Sequence, residues 1–265
     1  MAEAAIVFLV RGADSSWRIG VERFAASFEA AAAGSPCRLY VVVKGFASMQ
    51  AKQEAVRRFS NLGPTVLETS DDELDIGAYR QAVGHIQEDL VCFLNTHAEI
   101  LASGWLNKMI VALQRPGMGM VGATGSFESL SHLDGRFPVF PNVHVRTNGF
   151  LIRRVDAIAM LAARPITGKL DAFMIESGPE SLTRQFVRRG FEVAVVARSG
   201  RPYLPPLWPS SGTFRQFDQS GLLVGDNQTR TYEEAPWKTK RELVRITWGG
   251  YIQMGRRLPW RQGKP

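Results

Sequence analysis

The residues best equipped for chemistry follow a short apolar run. Leu90-Val91-Cys92-Phe93-Leu94 gives way at once to Asn95-Thr96-His97-Ala98-Glu99, a cluster of ligand-capable side chains. The Asn95 amide can both donate and accept hydrogen bonds. Imidazole is a good ligand for Mn2+ or Zn2+ and a poor one for Mg2+. His97 is therefore the candidate metal ligand, with Glu99 beside it. Thr96-x-x-Glu99 also has the form of a helix capping box, a purely structural alternative.

Carboxylates gather further along, in the segment Asp171-Ala172-Phe173-Met174-Ile175-Glu176-Ser177-Gly178-Pro179-Glu180. Glu176 follows an apolar run and precedes a Ser-Gly-Pro turn, which would aim it from a rigid edge into a cleft. Glu180 sits near a predicted helix start, where an acid already has a dipole rationale. Upstream, His144, Arg146 and Asn148 alternate along one predicted strand face, and Val143, Val145 and Thr147 on the other face read as core. The polar face either lines a cleft or forms an exposed edge. Gly122-Ala123-Thr124-Gly125-Ser126-Phe127-Glu128 is a small-residue turn suited to close ligand approach. It lacks the Gly-Lys-Ser/Thr ending of a phosphate loop.

These residues need a scaffold, and strand and helix signals alternate along the chain as in an α/β sheet protein. Strands are expected at 5–10, 38–43, 65–68, 90–94, 120–123, 143–152 and 191–197. The continuous apolar run 5–10 has the pattern of a strand buried on both faces. Helices are expected at 17–33, 48–59, 77–87, 103–114, 156–163, 182–189 and around 242–248. Ser103 reads as the N-cap of its helix, whose apolar face is Trp105, Met109, Ile110 and Leu113. Residues 198–236 read as loop-rich. The best division is one domain over 1–235 and a C-terminal extension over 236–265.

Charge separates that extension from the rest. Residues 236–265 hold eight Lys or Arg and one acid, Glu242, whereas residues 1–235 balance at 24 basic against 24 acidic. Trp237, Trp248, Tyr251 and Trp260 are interleaved with the basic residues. Such a segment either packs on the body with its basic face solvated or meets an anionic membrane surface. Nucleic acid is the weaker fit. No apolar run reaches the roughly 18–20 residues that span a bilayer, and the first apolar run reads as a strand and not a signal peptide. Cys37 and Cys92 read as small buried hydrophobes, in keeping with a cytoplasmic location.

The run Phe93-Leu94-Asn95-Thr96-His97-Ala98-Glu99 followed by Gly104-Trp105-Leu106 resembles the strand, acidic motif and helix start of family 2 glycosyltransferases of the GT-A fold. Leu182 to Phe191 resembles that family's late helix and Gly-aromatic turn. The resemblance covers roughly residues 4–198. It implies a Rossmann-like, three-layer α/β sandwich with a mostly parallel central sheet. It further implies an inverting transferase that moves a sugar from a nucleotide-sugar donor to a saccharide or lipid-linked acceptor in surface polysaccharide assembly. The cysteines and the basic, aromatic tail, and not the resemblance, give the expected location: cytoplasmic, and peripheral at the inner face of the membrane where the tail meets anionic lipid.

The same resemblance distributes roles. Arg11, Lys44, Asp75, Gly77, Arg80, Asn95, Thr96 and His97 would face the nucleotide sugar, and His144, Arg146 and Asn148 the acceptor side. In the family an Asp-x-Asp pair holds a divalent cation that stabilises the diphosphate leaving group. Here Asn95 and His97 stand in its place, so either a cation, Mn2+ or Mg2+, is kept, with His97 its candidate ligand and Mn2+ the better match to imidazole, or basic side chains replace the cation. The acid that ends the family's second strand is also missing, since the turn reads Val43-Lys44-Gly45-Phe46. Lys44 would contact a phosphate or base carbonyl, or else be solvated. Asp75-Ile76-Gly77-Ala78-Tyr79-Arg80 would set a helix N-terminus near the diphosphate, with Arg80 one turn in. The general base would be Glu176, ahead of Glu180 and Asp171. The lost acids also suit a degenerate relative that binds a sugar nucleotide or glycan without transfer.

Overall fold

A computed structural model describes residues 4–71, 74–161 and 169–254. From the N-terminus run β1 (Ala4–Arg11), α1 (Trp17–Ala30), β2 (Cys37–Lys44), α2 (Met49–Arg57), β3 (Thr65–Glu68) and α3 (Leu74–Val83). Next come β4 (Leu90–Leu94), β5 (Glu99–Ile100), α4 (Trp105–Leu113), β6 (Met118–Gly122), β7 (Gly125–Ser126), β8 (His144–Val145) and β9 (Gly149–Arg153). The chain continues through α5 (Arg154–Leu161), α6 (Lys169–Ser177), α7 (Leu182–Arg188), β10 (Glu192–Val196), β11 (Pro202–Tyr203) and β12 (Val224–Gly225). It then forms α8 (Asn227–Glu234), α9 (Trp237–Trp248) and α10 (Tyr251–Met254).

Eight strands form one mixed, mostly parallel sheet in the order β11-β10-β6-β9-β4-β1-β2-β3. β1 pairs in parallel with β2 and β4, β2 with β3, and β6 with β10. β9 runs antiparallel between β4 and β6, so β4 and β6 point the same way. The C-terminal ends of β1, β2, β3, β4, β6 and β10 therefore lie along one edge, joined by the N-terminal end of β9. Open α/β sheets bind ligands at that edge.

Successive strand side chains face opposite ways, and this builds two cores. Ile6, Phe8 and Val10 join Trp17, Phe24, Trp105 and Met109 on one face. Ala5, Val7 and Leu9 join Ile76, Tyr79, Phe186 and Trp248 on the other. Phe8 and Phe24 stack with ring centroids 3.8 Å apart. The outcome is a three-layer α/β/α arrangement. Among the described residues no helix is long and apolar enough to cross a membrane.

Several sequence expectations change. The N-cap of α4 is Gly104, with φ +69°, and not Ser103. Thr96-x-x-Glu99 caps no helix, because Glu99 opens β5, which pairs with β12. The single strand expected over 143–152 is broken at Arg146–Asn148: β8 pairs with β7, and β9 enters the main sheet. α3 starts three residues earlier than expected, so Gly77 lies inside the helix and Arg80 sits in its last turn. Residues 169–177 and 227–234 are helical, where neither helix was expected. In the extension, α9 buries Trp248 in the core, its ring edge-on to Phe127 at 5.0 Å and its Nε1 donating to Phe214 O at 2.9 Å.

Candidate functional site

At the ends of β1 and β2 the register sets Arg11 beside Lys44. Both reach one carboxylate, Asp71, which follows β3. Arg11 donates through Nε and Nη2 to the two Asp71 oxygens, each at 2.8 Å. Lys44 Nζ, fully enclosed, lies 3.2 Å from Asp71 Oδ1. Gly45 permits this approach: its φ is +62°, and a Cβ there would come within 2.8 Å of Asp71 Oδ2. The Arg11 hydrogen bonds, with Lys44 and against the cost of burial, hold the Asp71 carboxyl below the usual range. The second strand's turn carries no acid of its own, and the carboxylate beside it comes from the segment after β3. Lys44 is not the solvated side chain that one sequence alternative allowed.

Beyond β4, the Asn95 side chain accepts from the His97 N–H at 3.1 Å. His97 Nε2 lies 2.8 Å from Asp14 Oδ2. Asp14 belongs to the turn before α1, where Ser16 donates to it through N and Oγ. Burial raises the Asp14 pKa, but the Ser16 hydrogen bonds and His97 outweigh it, so the carboxyl lies below its ordinary value. Thr96 is buried. Glu99 does not join His97. Its Oε2 accepts from Arg230 Nη1 at 2.9 Å and faces Arg23 Nε at 3.5 Å. Arg230 also donates to the His97 carbonyl at 3.3 Å.

This donor set does not fit a resident divalent cation. His97 and Asp14 give two donors, the expected third is committed to guanidinium groups, and Mg2+ prefers an all-oxygen shell. Among the described residues no three His, Cys, Asp or Glu side chains converge as a metal would require.

The second half of the edge lies between β8 and β9. Glu176, in the last turn of α6, accepts from both the backbone N–H (3.2 Å) and the hydroxyl of Thr147 at its Oε2. Its other oxygen, Oε1, faces His144 Nε2 at 3.9 Å. His144 Nδ1 lies 2.7 Å from the Asn142 carbonyl, which can only accept, so Nδ1 carries the proton and Nε2 presents its lone pair to Glu176. Burial lowers the His144 pKa against the opposing pull of Glu176 and of that carbonyl. Glu176 therefore points from a helix end and not from an extended edge. Thr147, expected in the core, faces Glu176 instead.

Arg146 and Asn148 are also buried, which overturns the exposed-edge alternative for this run. Arg146 Nη2 donates to Asp226 Oδ2 at 2.8 Å, and its guanidinium lies 3.8 Å from the Phe214 ring centroid. Asn148 Oδ1 accepts from Thr124 at 2.5 Å, while its buried Nδ2 has no hydrogen-bond partner among the described residues. The small-residue turn after β6 is filled by protein: a Cβ at Gly125 would meet the Trp208 ring at 2.5 Å.

The other carboxylates are held elsewhere. Glu180 pairs with Arg188 at 2.5 Å, and Asp171 lies in the first turn of α6, within electrostatic range of Arg136. Gly77 and Arg80 lie on α3, and the Asp75 side chain falls outside the described residues. Asp14, Asp71, Thr147 and Asp226 were not singled out from sequence. Asp226 had a readable signal: Asp226-x-x-Thr229 is a capping box, and both of its bonds form at the start of α8.

No family model matches the chain. No curated protein matches it either. Solved structures do. A mannosyltransferase from Pyrobaculum calidifontis, in complex with GDP-Man and Mn2+, is 14% identical with a TM-score of 0.49, and the match covers 79% of this chain and 59% of that one. A 4-diphosphocytidyl-2C-methyl-D-erythritol synthase from Anaerococcus prevotii is 12% identical with a TM-score of 0.49, over 74% of this chain and 88% of that one. Glucosyl-3-phosphoglycerate synthase from Mycobacterium tuberculosis, in complex with Mn2+, UDP and phosphoglyceric acid, is 11% identical with a TM-score of 0.41, over 65% and 64%. The likeness is distant and extends to GT-A glycosyltransferases and nucleotidyltransferases alike. The chain spans little more than half the length of the mannosyltransferase.

Proposed function

We propose that the chain is an inverting glycosyltransferase that binds a nucleotide sugar along the C-terminal sheet edge. The observation that carries this reading is the Glu176 carboxylate. It is one-quarter exposed, fixed through Oε2 by Thr147, with Oε1 turned to the lone pair of His144. Two acceptors 3.9 Å apart leave room for an acceptor hydroxyl to donate between them. Oε1 takes the hydroxyl proton as the oxygen attacks the anomeric carbon. The new C–O bond forms as the bond to the diphosphate breaks on the opposite face, inverting the centre.

On the donor side, Asp71 takes the role of the missing second-strand acid. Ionised, it accepts from a base N–H, and Arg11 and Lys44 hold it in place. Asn95 binds a ribose hydroxyl. Arg80, in the last turn of α3, lies toward the other end of the sheet, so charge stabilisation of the leaving diphosphate falls to basic side chains at the edge itself, such as Arg11. The acceptor is a saccharide or lipid-linked saccharide.

A second reading, binding without turnover, draws support from the internal pairing of the site's ions: His97 with Asp14, and Arg146 with Asp226. Slow donor hydrolysis separates the two. Release of nucleoside diphosphate from a bound donor, lost in Glu176→Gln, supports transfer. Tight donor binding with no release in the wild type would overturn it.

A further inference from the structure

A groove of about 570 Å³ lies along α8 and α9 and shares no residue with the sheet-edge site. Its lining is apolar at Tyr232 and Val244 and basic at Lys240, Arg241 and Arg245. Phe217 and Trp237 also line it, at 70% and 72% exposure, the most exposed Phe and Trp among the described residues.

Phe217 is displayed by a built turn. Arg215, Phe217 and Gln219 have φ of +51°, +46° and +54°, a region that L-residues with bulky side chains avoid. The turn is pinned from within. Arg215 N–H donates to Gln219 Oε1 at 3.0 Å, Gln219 Nε2 to Thr229 O at 2.9 Å, and Tyr232 OH to Phe217 O at 3.2 Å. A ring fixed outward into water beside a second exposed ring is the mark of a contact surface.

Asp218, Glu233 and Glu234 stand exposed beside Phe217 and Tyr232, but the charge along α9 is predominantly basic. Between Trp237 and Trp248 stand Lys238, Lys240, Arg241 and Arg245 against the single acid Glu242. The sequence that follows adds Arg256, Arg257, Arg261 and Lys264 with Trp260 and no acid. Basic side chains around exposed aromatics complement a surface of lipid phosphates over acyl chains. An aliphatic lining at Val244 suits that partner better than stacked bases, which need ring platforms.

We propose that this face docks on an anionic phospholipid bilayer, with Phe217 and Trp237 entering the headgroup layer and Lys240 and Arg241 meeting its phosphates. This holds whether or not the sheet edge turns over a sugar nucleotide. The test is co-sedimentation of the full chain with vesicles of phosphatidylcholine alone, or with one third phosphatidylglycerol. Anionic vesicles should bind it roughly tenfold or more tightly, and added salt should weaken that binding. The double variants Phe217→Ala/Trp237→Ala and Lys240→Glu/Arg241→Glu should each lose most of it with unchanged circular dichroism, since these side chains lie at the surface. Equal binding to neutral vesicles, no binding, or variants that bind like the parent would overturn the proposal. Salt-sensitive retention on DNA or RNA without vesicle binding would assign the face to nucleic acid instead.

Discussion

Lys44 Nζ lies 3.2 Å from Asp71 Oδ1 while Arg11 grips both oxygens of the same carboxylate at 2.8 Å. Three consecutive parallel strands thus meet through one ion cluster at their C-terminal ends. Local sequence hides this, because Arg11 and Asp71 stand 60 residues apart.

Asp71→Asn should loosen the cluster. Removing one partner of a buried pair costs about 3–5 kcal/mol; Asp71 is 28% exposed, so about 2 kcal/mol is expected. The sign with pH follows from the depressed carboxyl. Its contribution is complete above the unfolded value near 3.9 and is lost as pH falls through the folded value. Urea unfolding of wild type and variant between pH 3 and 7 should show the gap closing in acid. A gap that is constant with pH would count against the ion pair.

His144 carries the opposite kind of linkage. Burial favours the neutral ring, so the unfolded chain takes up a proton near pH 6.5 that the folded chain refuses. Stability should therefore fall as pH drops below about 6.5, by at most ~1.4 kcal/mol per pH unit, and level off below the folded value. His144→Gln should flatten the melting temperature between pH 5 and 7. An unchanged slope would show that another group controls it.

Glu176→Gln should lower transfer by roughly 10²–10⁴-fold, the usual contribution of a general base. The amide oxygen of that variant can still accept from Thr147, so donor affinity should stay within about twofold by calorimetry. Turnover at the wild-type rate would remove Glu176 from the base role and return attention to Glu180 and Asp171.

Asp226→Asn tests the buried Arg146. The pair is 7% and 1% exposed, and the amide keeps an oxygen for the Thr229 N–H. The loss should fall near the ~3–5 kcal/mol of a broken buried pair. Chemical denaturation reads it directly, and a change under about 1 kcal/mol would mean that Arg146 reaches solvent or another acid.

What the sequence makes legible is what periodicity encodes. The apolar runs that become β1, β2 and β4, and the polar break at Asn95, follow from burial on both sheet faces. α6 escaped because Leu170 and Phe173 are exposed, at 37% and 45%, so its apolar positions draw no core-facing stripe. The strand over 143–152 broke because Thr147 and Asn148 serve Glu176 and Thr124, contacts that no alternation pattern carries. The partners that decide the site come from far along the chain: Asp71 for Lys44, Asp14 for His97, Asp226 for Arg146.

The central claim is that the sheet edge binds a nucleotide sugar, and equilibrium titration tests it most directly. UDP-, GDP-, dTDP- and CMP-sugars should be titrated into wild type and Asp71→Ala, each with and without Mn2+. At least one donor should bind the wild type in the micromolar to millimolar range, with little change on adding Mn2+, and should bind the variant roughly tenfold or more weakly. No binding by any donor, or equal binding to both proteins, would contradict it.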